Sequence, residues 1–394
     1  MVKKILKSYD WSLLIVYLAL AIFGVIMVYS ASMVTAIQVY NFESSSYFFE
    51  RQLSHLIFSF VVFLLAALVP YHILKWNKIL VPLVFGIILL LAGLFFIGHS
   101  ANNATSWFNF GSRNFQPSEL AKVVVIIYLA AVYSKKQRYI NNFNTGVFPP
   151  ILILIVICTL TILQPDIGTA FIIFCTGAIV ILCSGMNGKT LLRLVLVGML
   201  AMAVLSPFIY LNKEKVFTEN RLGRLYSYVD PFEYAQAEGH QLVNSYLAIG
   251  HGGLKGVGLG KSVQKLGYLP EAHTDFIMAI IAEELGAIGV LFVIGGLGYL
   301  VLKGFYIGMR CRDPFGSLLA FGISGMIGIQ TFINLGGVCG LIPITGVTLP
   351  FISYGGSSLL FLSGSLGILM NVAMFTNYDR KYKNPDKKPE VLPL

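Results

Sequence analysis

Glu119 and Lys122 are the first residues in this sequence that suggest chemistry, because they interrupt a long apolar stretch. Ionisable side chains are costly inside a membrane and mark functional sites by default. A spacing of three residues places both on one face of a helix, where they can form an ion pair. An alternative interpretation is that Ser118 caps this helix and that Glu119 complements the helix dipole. That alternative leaves Lys122 unexplained.

Asp166 is a second candidate, and it follows Gln164 and Pro165 between two apolar stretches. Its position predicts that it caps the helix that follows. A cap alone would account for the residue, and so would a role in a functional site. The sequence leaves both interpretations open.

Three titratable residues, Glu271, His273 and Asp275, lie together where a long polar segment enters another apolar stretch. A carboxylate at a water–lipid boundary is partly desolvated, which makes it a stronger base and suits it to general-base catalysis. The dipole at the start of a helix opposes that effect. The alternative interpretation is structural, with Thr274 as the N-cap and Asp275 as an acid of the first turn.

Glu283 and Glu284 follow in the same apolar stretch, roughly two helical turns beyond Asp275 at about 5.4 Å per turn. Unpaired carboxylates at that depth are hard to explain. The sequence therefore predicts that they have partners, and Lys122 is one candidate.

Basic residues of the long polar segment suggest binding of an anion. Arg221 and Arg224 lie one helical turn apart, a geometry suited to phosphate oxygens. The alternative interpretations are a solvated face or contact with anionic lipid headgroups. The glycine-rich run 255–262 imitates a nucleotide-binding phosphate loop, but the Walker spacing requires glycine at Lys255.

The elements that must position these residues are membrane helices. The 394 residues are 56% hydrophobic and only 12% charged, whereas soluble domains carry about a quarter charged residues. Apolar runs of roughly 18 residues or more recur along the chain, and each predicts a membrane span. The predicted class is an all-α, polytopic integral membrane protein of ten helices, over residues 11–33, 52–70, 79–98, 118–134, 149–164, 167–184, 190–210, 274–303, 317–338 and 351–376.

Lysine and arginine in the short connecting loops predict the orientation. They concentrate on the side of the N-terminus, which predicts that both termini are cytoplasmic and that the segment 211–273 is extracellular. This asymmetry also explains most of the net charge of +10, so nucleic acid is not needed as a partner. The predicted organisation is a cytoplasmic N-terminus (1–10), helices one to seven (11–210), a large extracellular loop (211–273), helices eight to ten (274–376) and a cytoplasmic tail (377–394).

The motifs together resemble the shape, elongation, division and sporulation (SEDS) family, most closely its cell-division branch or the sporulation relative of that branch. Two departures are minor, with His240 where the family usually has tyrosine and Met278 where it usually has phenylalanine. The matching motifs, in chain order, are Lys7-Ser-Tyr-Asp-Trp11, Met27-Val-Tyr-Ser-Ala-Ser32, Gln116-Pro-Ser-Glu119, Gln164-Pro-Asp-Ile-Gly-Thr169, Asn220-Arg-Leu-Gly-Arg224, Pro270-Glu-Ala-His-Thr-Asp275 and Leu349-Pro-Phe-Ile-Ser-Tyr-Gly-Gly-Ser-Ser358.

The resemblance implies a peptidoglycan glycosyltransferase in the bacterial cell membrane, acting at the division septum. Such an enzyme polymerises lipid II into a nascent glycan strand, alongside a class B penicillin-binding protein and other division proteins. The family's essential aspartate falls on Asp275, the expected general base, with undecaprenyl pyrophosphate as the leaving group. A divalent cation, Mg²⁺ or Mn²⁺, is a candidate cofactor, although no metal ligands are identified. The residues expected to contact substrate are Arg113, Glu119, Lys122, Asp166, Arg221, Arg224, Gln241, Lys265, Glu271, His273 and Thr274.

Two other classes of function compete with this one. A lipid II flippase would also need buried charge, but it would be expected to show internal repeats and charge near the midplane of the membrane. Here no such repeat is found, and the carboxylates concentrate at one rim. A non-catalytic scaffold for the division machinery would not need Asp275 for any chemistry.

Overall fold

The protein is a bundle of long helices. The computed structural model describes residues 2–38, 42, 44–97, 99–101, 104–110, 113–211, 223, 226–237 and 239–383. Eight helices of this described part are long and apolar enough to cross a membrane, so the chain is a membrane protein. The eleven α-helices longer than ten residues in the described part of the chain are α1 (Trp11–Gln38), α2 (Tyr47–Leu68), α3 (Asn77–Ile97), α4 (Pro117–Lys135), α5 (Phe148–Leu163), α6 (Ile167–Leu182), α7 (Gly188–Leu211), α8 (His240–Gly252), α9 (Ile277–Arg310), α10 (Pro314–Val338) and α11 (Gly356–Tyr378).

Each of the ten predicted spans overlaps one of these helices, and the all-α class is confirmed. Several boundaries differ from the prediction. The first span continues to Gln38 rather than 33, and the second begins at Tyr47 rather than 52. The eighth span begins at Ile277 rather than 274, continues to Arg310, and is interrupted at Gly286. The last begins at Gly356 rather than 351, because the preceding residues form a non-helical segment.

Two elements were not predicted. Helix α8 lies within the segment expected to be one long loop and packs against α9. A small antiparallel sheet joins α3 to α4, with its strands in chain order: β1 (His99–Ala101), β2 (Ala104–Phe110) and β3 (Arg113–Phe115).

The two described ends of the chain meet at one end of the bundle, which we call the terminal end. The Asn377 side chain donates a hydrogen bond to the Ser8 carbonyl, at 3.1 Å. Helix α1 begins at the terminal end and α9 finishes there, so the two helices are antiparallel. Lys303 pairs with Asp10 at 2.9 Å near the terminal end, and Glu284 meets Ser30 near the opposite end, which we call the distal end. Twenty residues of helix α1 separate these contacts, or about 30 Å, which is the thickness of a hydrocarbon core.

Helix α4 is the centre of the bundle, since α3, α6, α10 and α11 all pack against it. Most of its residues are therefore buried, including Glu119 and Lys122 near its distal end. These two charges face other helices instead of lipid.

A non-helical segment, residues 339–355, connects α10 to α11 and inserts into the distal half of the bundle. Leu349, Phe351 and Ile352 are almost fully buried. The Phe351 ring packs edge-on against Tyr17 of α1, with centroids 5.4 Å apart. The segment passes so close to α1 that a Cβ atom at Gly24 would lie 2.8 Å from the Cα of Ile352.

This close approach predicts that Gly24→Ala destabilises the protein, because the added methyl group would meet backbone atoms that cannot rotate away. Gly86→Ala is the matched control, since a Cβ there meets nothing within 4 Å among the described residues. Thermal unfolding of the purified protein in detergent should show a lower Tm for Gly24→Ala and an unchanged or higher Tm for Gly86→Ala. Equal Tm values would contradict the packing described for residues 349–352.

Candidate active site at the distal end

Asp275 lies at the distal end, directly before the helix that it was expected to begin. The N-cap of α9 is Phe276, so Thr274 is not the cap and Asp275 is not an acid of the first turn. The Thr274 hydroxyl instead contacts the Glu271 carboxylate at 2.5 Å and the Asp275 carboxylate at 3.3 Å. The capping interpretation of this motif was therefore wrong. The Asp275 side chain is half-buried and lines a small cleft.

The backbone around Asp275 is held by two neighbouring elements. The Asn334 amide on α10 donates one hydrogen bond to the Asp275 carbonyl and one to the Val347 carbonyl, both at 2.7 Å. The Tyr354 backbone N–H donates to the His273 carbonyl at 2.9 Å. Side-chain and main-chain donors thus fix both residues, a prerequisite for placing a catalytic group accurately.

His273 is buried among aromatic rings. Its ring centroid lies 4.4 Å from that of Phe48 and 5.7 Å from that of Tyr354. Burial lowers the pKa of His273 to about 4, against the opposing effect of the nearby Glu271 charge. The imidazole is therefore neutral at pH 7 and packs as a core residue. Its assignment to substrate binding stays a prediction, which its burial makes less favourable.

The predicted ion pair in α4 is confirmed. The Lys122 ammonium lies 2.8 Å from the Glu119 carboxylate, and it donates a hydrogen bond to the Gln330 side-chain oxygen at 2.8 Å. Lys122 is 1% exposed, so its charge is neutralised inside the protein. The N-cap of α4 is Gln116 rather than Ser118, so the capping interpretation of Ser118 was wrong.

Asp166 caps α6 and also links it to α4. Its carboxylate accepts a hydrogen bond from the Thr169 backbone N–H at 3.1 Å, as expected of an N-cap. It also accepts from the Gln116 amide at 3.0 Å and from the Ser118 hydroxyl at 3.2 Å. The cap is therefore confirmed, and a role in substrate binding stays a prediction.

Gln330 and Asn334 connect these groups, and the sequence analysis missed both. They lie four residues apart on one face of α10. Gln330 accepts from Lys122 and donates to the Thr348 carbonyl at 3.0 Å, while Asn334 binds Asp275 and Val347. Together they form a polar ladder from the ion pair to Asp275. Two amides at this spacing in an apolar helix were the signal that could have revealed it.

The deeper carboxylates have partners, but Lys122 is not among them. Glu284 pairs with Lys265 at 2.7 Å, and Glu283 contacts His251 at 3.0 Å. Lys265 is 1% exposed and engaged inside the protein. Substrate binding by Lys265 therefore stays a prediction, which this pairing makes less favourable.

Five other residues were predicted to contact substrate: Gln241, Glu271, Arg113, Arg221 and Arg224. Gln241 lies in the first turn of α8 and is half-buried, and Glu271 is half-buried beside Thr274. Arg113 belongs to β3, but its side chain lies outside the described residues, as do Arg221 and Arg224 entirely.

Within the described part of the chain, no group of three or more His, Cys, Asp or Glu could hold a metal ion. The described residues do not fit a metal site, so no step is derived through a cation.

Burial of the Glu119–Lys122 pair predicts a large cost when one partner is removed. Lys122→Met leaves a desolvated carboxylate and should reduce the free energy of unfolding by about 3–5 kcal/mol. The double variant Glu119→Gln/Lys122→Met should recover much of that loss, because no charge is left unpaired. Denaturation of the purified protein would measure both.

Lys383→Met is the control for this pair, because it breaks the exposed Lys383–Asp379 pair at the terminal end. Exposed pairs contribute little, so its stability should match the wild type. If Lys122→Met were as stable as Lys383→Met, the buried pair would have no stabilising role.

Known proteins are similar to this chain over almost its whole length. The family model of the FtsW, RodA and SpoVE cell cycle proteins matches residues 10–378. The chain is 56% identical over 393 residues to the probable peptidoglycan glycosyltransferase FtsW of Bacillus subtilis, covering 100% of this chain and 96% of that relative.

Solved structures have the same fold. A chain from a study of how a peptidoglycan synthase complex coordinates polymerization and crosslinking superimposes with a TM-score of 0.73 at 27% identity, covering 93% of this chain and 98% of that one. The crystal structure of the rod shape determining protein RodA of Thermus thermophilus gives a TM-score of 0.65 at 27% identity, covering 95% and 98%.

Proposed function

Because the chain belongs to the FtsW/RodA/SpoVE family of cell cycle proteins, we propose that it is a peptidoglycan glycosyltransferase that polymerises lipid II during cell division. The observation that carries the proposal is the placement of Asp275, a half-buried carboxylate whose backbone is fixed by Asn334 at the rim of the polar ladder. The 56% identity to a relative with this name over the full chain supports the same activity.

In the proposed reaction Asp275 is the general base. Its carboxylate takes the proton from a sugar hydroxyl of the acceptor, and the hydroxyl oxygen attacks C1 of the donor sugar. The bond between C1 and the pyrophosphate oxygen breaks, and undecaprenyl pyrophosphate leaves with the electron pair. A single displacement inverts the α-linked donor to a β-1,4 linkage. The proton on Asp275 then passes to solvent, which regenerates the base.

Two of the lysines expected to contact substrate are already engaged inside the protein. A pyrophosphate that carries developing charge needs positive groups nearby. Lys122 and Lys265 are already paired with carboxylates. Arg113, Arg221 and Arg224 therefore remain the proposed pyrophosphate ligands.

A class B penicillin-binding protein that cross-links the nascent strand is the proposed partner. Support comes from the structural similarity to a chain of a synthase complex that coordinates polymerization and crosslinking. Assembly with other division proteins at the septum belongs to the same proposal.

We further propose that the terminal end is cytoplasmic and the distal end extracellular, with residues 211–273 outside. Lys3 and Tyr268 are exposed at the terminal and distal sides. In a background without the five native cysteines, Tyr268→Cys should react with a membrane-impermeant thiol reagent in intact cells. Lys3→Cys should react only after permeabilisation. The reverse pattern would place Asp275 on the cytoplasmic side and rule out the proposed mechanism.

Asp275→Asn is the direct test of the activity. Loss of a general base costs about 10²–10⁴-fold, so polymerisation of lipid II by the purified protein with its partner should nearly stop. Binding of lipid II should persist, because Asp275 is proposed to transfer a proton rather than to provide affinity.

Asp379→Asn is the matched control, since it makes the same chemical change to an acid at the terminal end. It should polymerise at the wild-type rate. A folded Asp275→Asn protein that polymerises normally would overturn the assignment. The flippase and the non-catalytic scaffold would then be the remaining functions, and transport of lipid II across vesicle membranes would distinguish them.

A further inference from the structure

Helix α9 is broken one third of the way along. Gly286 has φ +63° and ψ −156°, so the helix divides into a short arm, Ile277–Leu285, and a long arm, Ala287–Arg310. A break of this kind deprives the carbonyl groups of the preceding turn of their helical partners. Buried backbone groups without partners are strongly unfavourable, particularly near lipid.

The partners come from the glycine loop, which we define as residues 252–262. The Val257 and Gly258 N–H groups donate to the carbonyls of Glu283 and Glu284, at 3.0 and 2.9 Å. In return, the Ala287 N–H of the long arm donates to the Gly253 carbonyl at 3.2 Å. The glycine loop thus replaces the hydrogen bonds that an unbroken helix would make.

This replacement requires glycine at the closest contacts. A Cβ at Gly252 would lie 1.9 Å from the Ala282 carbonyl oxygen, and a Cβ at Gly256 would lie 2.3 Å from the Glu284 carbonyl oxygen. Gly256 also has φ +74°, which side chains rarely adopt. The glycine pattern that imitates a phosphate loop therefore serves close approach between two backbones.

Buried side chains hold the same junction to helix α1. The Lys265 ammonium lies 2.7 Å from the Glu284 carboxylate and 3.0 Å from the Ser30 hydroxyl. Ser30 donates to Glu284 at 2.7–2.8 Å. All three side chains are at most 5% exposed. Helix α1 is thereby linked to the short arm and, through Lys265, to the segment that follows the glycine loop.

The neighbouring carboxylate fixes the far end of the glycine loop. Glu283 accepts hydrogen bonds from the Val263 N–H at 3.0 Å and from the Ser262 hydroxyl. His251, at the end of α8, contacts the same carboxylate at 3.0 Å. The backbone carbonyls of Glu283 and Glu284 therefore bind the middle of the glycine loop, and the Glu283 carboxylate binds its far end.

We infer that this junction, formed by residues 252–258 of the glycine loop together with Glu284, Lys265 and Ser30, positions Asp275 for catalysis. Contacts between Gly253 and Ala287 close the chain into a loop that contains Asp275, and Asn334 and Tyr354 hold its opposite side. Shifting the base of that loop shifts the carboxylate. These are positioning residues, since they act through the short arm. The inference rests on the proposed function, in which Asp275 is the general base.

Gly256→Ala and Gly260→Ala form the decisive comparison. Both glycines lie in the glycine loop with positive φ, +74° and +80°, so both substitutions strain the backbone similarly. A Cβ at Gly260 meets nothing within 4 Å among the described residues, whereas one at Gly256 displaces Glu284. A misplacement of about 1 Å can cost 10²-fold in rate. Gly256→Ala should therefore lower kcat for lipid II polymerisation by about 10²-fold with little change in KM, and Gly260→Ala should leave kcat within a few fold.

A milder pair covers the case in which Gly256→Ala does not fold. Ser30→Ala removes the hydroxyl that binds Glu284 and Lys265 but keeps their ion pair. Ser32→Ala alters a buried serine of the same helix whose hydroxyl makes no hydrogen bond within the described part of the chain. Ser30 donates to a charged carboxylate, and hydrogen bonds of this kind are stronger than those between neutral groups. Ser30→Ala should therefore lower kcat roughly tenfold. Ser32→Ala should match the wild type.

A structural readout separates this inference from the proposed function. A nitroxide attached at Tyr268→Cys, an exposed position between the glycine loop and Asp275, should become more mobile by electron paramagnetic resonance in Gly256→Ala or Ser30→Ala. It should not change in Gly260→Ala or Ser32→Ala. If Asp275→Asn is inactive but Gly256→Ala and Ser30→Ala keep the wild-type kcat, the inference fails and the proposed function stands. If Asp275→Asn is fully active, the proposed function fails and with it any catalytic role of the junction, even where the label's mobility confirms the mechanical link.

Discussion

The need to satisfy every backbone polar group without water is the constraint on which this structure depends. Regular helices meet it automatically, but the distal end contains two interruptions: the break at Gly286 and the non-helical segment 339–355. The glycine loop supplies partners at the first. At the second, Gln330 and Asn334 donate to the carbonyls of Thr348 and Val347. Irregular backbone is tolerated at membrane depth where protein surrounds it, and both interruptions adjoin the candidate site.

The two buried ion pairs follow from the same constraint and have different surroundings. Glu119 and Lys122 belong to one helix, so their pairing needs only the geometry of that helix. Lys265 and Glu284 come from a loop and a helix, and Ser30 of a third element completes the contact. Desolvating a charge is unfavourable unless its partner is well placed. The second pair therefore specifies how three elements dock, whereas the first mainly neutralises charge within helix α4.

Much of the fold could be predicted because hydrophobic runs report membrane helices directly. The Glu119–Lys122 pair and the Asp166 cap were also predictable, since both depend on residues three apart in sequence. The partners of Glu283 and Glu284 were not, because Lys265 and His251 reach them through an unpredicted helix, α8, and a glycine loop whose role is long-range. The start of α9 was misplaced for a related reason. Thr274 and Asp275 have the composition of a helix start, but hydrogen bonds to Asn334 and Tyr354 hold the chain in another conformation.

The break in α9 explains how Asp275, which precedes this long helix, comes to lie against α10. The long arm has 24 residues, from Ala287 to Arg310, or about 36 Å, which is enough to cross the membrane alone. If the helix continued straight, the ten residues from Leu285 back to Asp275 would place Asp275 about 15 Å beyond Leu285 along the helix axis. The turn at Gly286 instead returns the short arm to α10, where Asn334 lies four residues before the helix ends at Val338. The position of the Asp275 carboxylate beside α10, which the proposed reaction requires, thus depends on interrupting the helix that follows it.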